Sequence, residues 1–246
     1  MNLILLERSE VRDDGSAVLA STRAAHLRKV LNVSAGSTVR IGVVDGPMGI
    51  GTVTAMDDDG VTLQCDLDRQ TPERPRVDVL LALPRPKVLR RLWAQLAALG
   101  VGQVILTNAE KVERDYFDSH VTDPAGYRPL LIEGLQQARD TRLPVVTIHK
   151  RFKVLVEDDL DALFPFGRRV VAHPGAELSI AGALEGGAHD RVLLAIGPEG
   201  GWNTFELDLL EAHGFTPASM GPRTLTTTTA CIALLTLAHA ALREGT

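Results

Sequence analysis

Several features that would define a protein class are missing from this 246-residue sequence. It contains two cysteines, Cys65 and Cys231, which lie far apart and match no metal-binding or redox spacing. The sequence therefore predicts neither a disulfide framework nor a metal site, which fits the reducing cytoplasm. No apolar run approaches the length of a membrane-spanning helix, and the first residues lack the basic region and the length of a secretory signal. We therefore expect a soluble cytoplasmic protein.

Two common phosphate-binding fingerprints are also missing. Gly197, Gly200 and Gly201 are closely spaced, but they do not form the GxGxxG pattern of dinucleotide-binding proteins. No Lys-Ser or Lys-Thr pair follows them, so the P-loop pattern is missing as well. A nicotinamide-dependent dehydrogenase is therefore disfavoured.

Charge is distributed unevenly along the chain. The net charge is −5, which by itself argues against a nucleic-acid partner. Between Arg74 and Arg91, however, six basic residues are opposed by Asp78 alone, so this segment carries a charge of +5. Basic groups that are focused on one face can bind RNA even in an acidic protein. A solvated helix face and linker is the alternative interpretation.

The N-terminal part of the chain predicts a small β-barrel domain. A basic helix is predicted over 22–31, and the polar stretch 9–21 is expected to be a loop. Short strands separated by strong turns, one of them at 57–60, are typical of such a barrel. These strands are predicted at 38–41, 51–55 and 61–65.

The rest of the chain predicts an α/β domain. The polar segment 71–76 is interrupted by two prolines and is typical of a linker. Beyond it, strands alternate with helices, which indicates an α/β fold. The strands are predicted at 77–83, 104–106, 145–148, 169–172, 192–196 and 217–220. The helices are predicted at 87–99, 127–139, 153–163 and 230–242. We therefore expect one domain over residues 1–72 and another over 73–246.

Two glycine turns near the C-terminus give the strongest indication of a site. The apolar run 192–196 leads into the sequence GPEGG at 197–201. Asn203 and Glu206 follow with the spacing of a helix capping box. A second strand candidate leads into Gly-Pro-Arg at 221–223. Ligands of α/β proteins bind at the carboxyl edge of the sheet, where such turns meet. The alternative interpretation of each turn is that its glycine and proline only allow the chain to change direction and that it binds no ligand.

These turns and their surroundings resemble the SPOUT methyltransferases, and most of all the bacterial 16S ribosomal RNA methyltransferase E family, which makes N3-methyluridine. The likeness extends to residues 26–31, to Lys87 and 99–101, and to Glu133 with Gln137. It therefore covers nearly the whole chain. The resemblance implies a C-terminal SPOUT-type trefoil-knot α/β domain, preceded by a small PUA-like β-barrel that binds RNA. It also implies a homodimer.

The resemblance further implies that S-adenosylmethionine is the cofactor and that backbone groups of three loops bind it. Glycines suit such loops because a side chain would block close approach of the backbone. The implied cofactor-binding residues are Val171, Ala172, His173, Ile196, Gly197, Pro198, Glu199, Gly200, Gly201, Met220, Gly221, Leu225, Thr229 and Ala230. Trp202, beside the second loop, is expected to pack, with stacking on an RNA base as the alternative.

The implied reaction is methyl transfer to N3 of a uridine in 16S rRNA, as free RNA or within the small ribosomal subunit. Such a site needs a proton acceptor and cationic or N–H donors aimed at the ring oxygens. Thr226 and Thr228 stand where the family usually has Arg and Glu, while Arg223 remains. These three residues are the catalytic candidates. A SPOUT enzyme with another RNA target, or a non-catalytic RNA-binding protein of the same fold, are the alternatives.

Basic residues are the candidates for RNA contacts. Some lie in the helix predicted over 22–31 and the others in the basic segment after the linker. Together they are Arg23, Arg28, Lys29, Arg85, Lys87, Arg90 and Arg91.

Overall fold

The computed structural model describes residues 3–29, 32–57, 60–186 and 191–244. The chain forms two compact units. The first comprises Met1–Arg74 with Leu135–Leu143, and the second comprises Pro75–Gly134 with Pro144–Thr246. Among the described residues, no helix is both long enough and apolar enough to cross a membrane.

The first unit contains a five-stranded sheet in the order β1-β3-β4-β5-β2 and the helix α1. Strands β1 and β3 are parallel, and the other neighbours are antiparallel. The elements are β1 Ile4–Leu6, β2 Ser16–Leu19, α1 Ser21–Lys29, β3 Thr38–Val43, β4 Met48–Asp57 and β5 Gly60–Leu67. The strands predicted by spacing are therefore confirmed, and the sheet forms a half-barrel around an aliphatic core.

The loop predicted over 9–21 is wrong. It contains part of a 3-10 turn, Arg8–Glu10, and the strand β2. In β2, Ala17 and Leu19 are buried and Val18 is exposed, and the strand pairs with β5. Tertiary pairing with β5 supports this short strand, a contribution that local composition does not reveal. Of the predicted turn at 57–60, Asp58 and Asp59 lie outside the described residues, as do Val30 and Leu31 of the predicted helix.

The second unit contains a six-stranded sheet in the order β11-β9-β10-β6-β7-β8, with all neighbours parallel. Its strands are β6 Val77–Ala82, β7 Val101–Thr107, β8 Val145–His149, β9 Arg168–Ala172, β10 Val192–Ile196 and β11 Phe215–Ala218. Every residue of β6, β7 and β10 is buried, as expected for central parallel strands covered on both faces.

Helices alternate with these strands, which confirms the predicted α/β pattern. They are α2 Pro86–Ala98, α3 Pro124–Ala138, α4 Phe152–Val154, α5 Leu160–Leu163, α6 Ile180–Ala183, α7 Thr204–Ala212 and α8 Thr227–Glu244. A π-helical stretch, Leu155–Asp159, connects α4 to α5, so the predicted helix over 153–163 is not a regular α-helix. Two 3-10 turns, Arg114–Asp118 and His120–Thr122, precede α3.

Helix caps decide where α7 and α8 begin. The predicted capping box is confirmed, because Asn203 Oδ1 accepts from Glu206 N at 2.8 Å and Glu206 Oε2 accepts from Asn203 N at 2.9 Å. Helix α8 begins at Thr227 rather than near residue 230. Thr226 provides the reason: its hydroxyl accepts from Thr229 N at 3.4 Å, in the manner of a helix N-cap.

The buried residues of α7 are not the ones that its apolar spacing indicates. Glu206 and Leu210 are its buried residues, whereas Phe205 is 56% exposed. Phe205, Leu209 and Ala212 are apolar at helical spacing, which is typical of a helix, but this spacing does not identify the core face of α7.

Candidate functional site

A cleft of about 280 Å³ opens at the carboxyl edge of the six-stranded sheet, where β9, β10 and β11 end. We call it the first cleft. Three loops line it, at 172–174, 196–202 and 218–225 except Pro222, together with Thr227 and Ala230 of α8. The sequence thus brings three strand exits to one place, because parallel strands present their carboxyl ends at the same edge.

The first cleft brings together all but two of the candidate cofactor-binding residues. Those that line it are Ala172, His173, Ile196, Gly197, Pro198, Glu199, Gly200, Gly201, Met220, Gly221, Leu225 and Ala230. Val171 lies within β9 and is fully buried. Thr229 is exposed, and its hydroxyl lies 3.0 Å from that of Thr226. Cofactor binding by any of these residues stays a prediction.

Two glycines of the first cleft have backbone conformations that other residues rarely adopt. Gly201 has φ +71° and Gly221 has φ +111°. No atom within 4 Å would obstruct a Cβ at either position, so the requirement for glycine lies in the backbone itself. Turns of this kind expose backbone groups to the cleft without covering them by side chains.

The lining of the first cleft suits S-adenosylmethionine. It combines apolar side chains such as Ile196 and Leu225 with the backbone of the glycine turns. Trp202, which also lines the cleft, is 8% exposed, and its Nε1 is buried without a hydrogen-bond partner among the described residues. An unpartnered buried donor at a cleft wall favours a ligand with acceptor atoms.

Contacts from neighbouring segments hold the turn at 197–201 in place. Glu199 Oε1 accepts from the backbone N–H of Arg85 at 3.3 Å, just before α2. On the other side, Lys111 Nζ donates to Gly200 O at 2.7 Å. Glu206 Oε1 accepts from Glu110 N at 2.7 Å, which joins α7 to the segment after β7. The loop conformation therefore depends on side chains outside the loop.

The three catalytic candidates lie in different environments. Arg223 lines the first cleft, is exposed, and makes no hydrogen bond or ion pair with the described residues. Thr226 and Thr228 do not line the cleft. Thr226 instead caps α8, so the residue that stands at the family's Arg position has a structural role here. Among the described residues, Arg223 is therefore the arginine that lines this cleft.

Some lining residues were not among the candidates. Ser219, Thr227 and Pro174 all line the first cleft. Nothing in the run of four threonines singles out Thr227, because each of them is an equally good N-cap candidate for α8. Trp202 packs as expected, with its ring centroid 5.4 Å from that of Phe152. Burial raises the pKa of the nearby Cys231 thiol to about 12, so this group is not a nucleophile at neutral pH.

The RNA candidates after the linker form an exposed basic surface on α2 and at its N-cap residue, Arg85. Arg85, Lys87, Arg90 and Arg91 are all exposed. The single acidic residue of this segment, Asp78, is fully buried and paired with Arg191. It therefore does not neutralise the surface.

The N-terminal RNA candidates are engaged within their own unit. Arg23 pairs with Glu10 at 2.6 Å and donates to Leu5 O at 2.7 Å. Arg28 donates to the carbonyl oxygens of Asp57 and Gly60. The side chain of Lys29 lies outside the described part of the chain. These interactions indicate a structural role for Arg23 and Arg28, and RNA contact stays a prediction.

Comparison with known proteins identifies the family of the chain. Residues 71–239 match the family model described as an RNA methyltransferase domain. The chain is 32% identical over 254 residues to the ribosomal RNA small subunit methyltransferase E of Treponema pallidum, covering 99% of this chain and 94% of that protein. It is 25% identical over 233 residues to the ribosomal RNA small subunit methyltransferase E 1 of Borreliella burgdorferi, covering 95% of each chain.

A solved structure shows the same fold. The crystal structure of the ribosomal RNA small subunit methyltransferase E of Neisseria gonorrhoeae, bound to S-adenosylmethionine, superposes with a TM-score of 0.79. The two sequences are 16% identical, and the match covers 98% of this chain and 97% of that chain. The fold class predicted from the sequence is confirmed as an α/β domain of the SPOUT type with a parallel sheet, preceded by a small PUA-like half-barrel.

The family match over residues 71–239 and the relative of 32% identity define the chain as an RNA methyltransferase. The chain belongs to the ribosomal RNA small subunit methyltransferase E family.

Proposed function

We propose that this protein transfers a methyl group from S-adenosylmethionine to N3 of a uridine in 16S rRNA. The observation that carries the proposal is the first cleft, where three strand-exit loops place almost all candidate cofactor residues together. Family membership supports the RNA substrate and the cofactor.

The first cleft would hold the cofactor chiefly through the backbone. The loops at 172–174, 196–202 and 218–221 supply N–H and C=O groups, and Ile196 and Leu225 supply apolar contacts. S-adenosylmethionine supplies an activated methyl group when it is bound. Because methyl transfer is an in-line displacement, the main task of these loops is alignment, which can contribute several kcal/mol.

We assign to Arg223 the role of stabilising the negative charge that develops on the acceptor uridine. Uridine N3 becomes a good nucleophile when its proton is lost, and negative charge then spreads onto the ring oxygens. A guanidinium at the cleft stabilises that charge. Thr226 and Thr228 lie outside the cleft and bring no charge, so Arg223 takes the role that the family's Arg would have.

The proposed RNA contacts involve both units. The exposed basic surface of α2 would bind phosphates, and the PUA-like domain, proposed as residues 1–72, would add RNA contacts beyond the methyltransferase domain at 73–246. Salt-dependent phosphate binding of this kind is compatible with a net charge of −5, because the basic groups are focused on one helix.

We also propose a homodimer that packs through α8. Leu237 on this helix is 42% exposed, and Ile232 and Ala233 are half-buried, so an apolar strip is left uncovered among the described residues. Burial against a second copy would remove this strip from water. Sedimentation at micromolar concentration tests the proposal, and a monomer would contradict it.

A cytoplasmic location fits the two free thiols, Cys65 and Cys231.

The direct test is methyl transfer in vitro. Purified protein is incubated with labelled S-adenosylmethionine and either 16S rRNA or small ribosomal subunits, and the nucleosides are identified by mass spectrometry. N3-methyluridine is the expected product. Another methylated nucleotide would indicate a different RNA target. Cofactor binding without any product would indicate a non-catalytic RNA-binding protein.

A further inference from the structure

A second cleft lies at the same edge of the sheet, beyond β7. It has a volume of about 300 Å³ and contains none of the candidate site residues. We call it the second cleft. The segment after β7, the start of α4 and the start of α7 form its walls. The two clefts share a wall, because Trp202 of the first and Phe152 of the second are in ring contact at 5.4 Å.

Phe205 gives the second cleft an exposed aromatic surface. Its side chain lines the cleft and is 56% exposed, although most apolar residues of this unit are buried. Single exposed apolar side chains are common at protein surfaces, and what distinguishes Phe205 is that its exposed ring lines a cleft and is available to a ligand there. Aromatic rings at such positions stack on nucleic-acid bases irrespective of base identity.

Asn108 supplies a hydrogen-bond acceptor that is not used within the described residues. It lines the second cleft, and its Oδ1 is buried without a partner. Buried polar atoms without a partner are rare in native structures, so an N–H donor is expected there when the cleft is filled. The edges of nucleobases carry such donors.

The charges of the second cleft balance. Arg114 and Lys153 are basic, and Glu110 and Glu206 are acidic. Glu206 is already occupied, since its two oxygens accept from the backbone of Glu110 and Asn203. Arg114 makes no ion pair with the described residues, and Lys153 has only an exposed contact with Glu157 at 3.7 Å. Such a pair is weak. A neutral cleft with two available cations suits an uncharged base and its flanking phosphates better than a lone anion.

We propose that the second cleft binds an unpaired base of the RNA substrate beside the cofactor. Phe205 stacks on the base, Asn108 Oδ1 accepts an N–H from its edge, and Arg114 and Lys153 contact the neighbouring phosphates. The proposal rests on the proposed function in that the ligand is RNA.

The test compares two exposed phenylalanines of the same unit. Phe205→Ala removes the ring from the second cleft, and Phe166→Ala removes a ring that is 81% exposed and lies outside it. Binding of 16S rRNA is measured by filter retention, and S-adenosylmethionine binding by calorimetry. We expect Phe205→Ala to weaken RNA binding about tenfold, with cofactor affinity unchanged. Phe166→Ala should alter neither.

A second comparison tests the phosphate contacts. The double variant Arg114→Ala with Lys153→Ala should reduce the slope of log affinity against log salt by about two. The control removes the same charge outside the cleft, by Lys150→Ala with Arg151→Ala, and should leave the slope close to that of the wild type.

Two results would overturn the proposal. One is equal RNA affinity for the Phe205 and Phe166 variants. The other is a change in sedimentation of Phe205→Ala with unchanged RNA affinity, because the second cleft would then be a contact between two copies of the chain. If the wild type itself binds no RNA, the proposed function fails, which is distinguishable from failure of this inference alone.

Discussion

The two clefts at the edge of the parallel sheet are built in different ways. The first is lined mostly by glycine turns and short or apolar side chains, with His173, Glu199 and Arg223 as its ionisable side chains. The second is lined mainly by polar side chains, which comprise two carboxylates, two cations and two amides, and by the exposed ring of Phe205. Under the two proposals, one sheet edge places a cofactor that is held by the backbone next to an RNA base that is held by side chains.

The largest effect should come from the cation of the first cleft. Arg223→Gln keeps a hydrogen-bond donor but removes the charge, so we expect the rate of methyl transfer to fall on the order of a hundredfold. Cofactor affinity should be unchanged, because the cofactor is held by the loops. Single-turnover kinetics and calorimetry measure the two quantities separately. A loss of cofactor affinity with an unchanged rate would show that Arg223 binds the cofactor instead.

The next largest effect should come from backbone conformation. Gly201→Val forces a branched residue into φ +71°, and the loop must shift to relieve the strain, so S-adenosylmethionine affinity should fall about 10- to 100-fold. Gly214→Val is the matched control, since Gly214 has φ +82° and equally open surroundings at the end of α7, outside the first cleft. It should lower the melting temperature similarly and leave the affinity intact. Equal affinity losses in both variants would indicate general destabilisation.

A smaller effect should come from Lys111, which supports the first cleft from outside its lining. Lys111→Ala removes the donor to Gly200 O, and we expect cofactor affinity to fall several-fold through a looser turn. Lys111→Arg, which retains a cationic donor, should recover most of the affinity in the same calorimetric titration. Wild-type affinity for Lys111→Ala would mean that the turn keeps its conformation without this contact.

The smallest effect concerns the threonines. Thr226→Arg with Thr228→Glu introduces the charges usual in the family but removes the N-cap of α8, so unfolding should become easier by about 1 kcal/mol. We expect no gain in methyl transfer, because Arg223 already provides a cation at the cleft. Denaturant titration and the methyl-transfer assay test both parts. A faster double variant would contradict the role assigned to Arg223.

The first cleft was predictable from sequence because its determinants are local. Glycine, proline and a capping box after apolar strands specify the turns. The family resemblance then implies that the turns bind the same cofactor. The resemblance also predicted the family and the fold class, both of which are confirmed. A trefoil knot could not have been derived from residue patterns, since connections that thread loops are rare.

The second cleft was not predictable in this way. Asn108, Lys153 and Phe205 lie on three separate segments, and only the packing of α7 and α4 against the end of β7 brings them together. The apolar spacing of α7 even indicated Phe205 as one of its regular apolar positions, whereas its buried residues are Glu206 and Leu210. The contact between β2 and β5 was missed for a related reason, because strand pairing across some 45 residues leaves no local pattern.

The most direct test of this separation between a cofactor cleft and an RNA cleft is to titrate three proteins with S-adenosylmethionine and with 16S rRNA. The three are the wild type, Gly201→Val and Phe205→Ala. The account predicts that Gly201→Val loses cofactor affinity and that Phe205→Ala loses RNA affinity while binding the cofactor as the wild type does. If Phe205→Ala instead loses the cofactor, or if Gly201→Val binds it normally, then the assignment of the cofactor to the backbone-lined cleft is wrong.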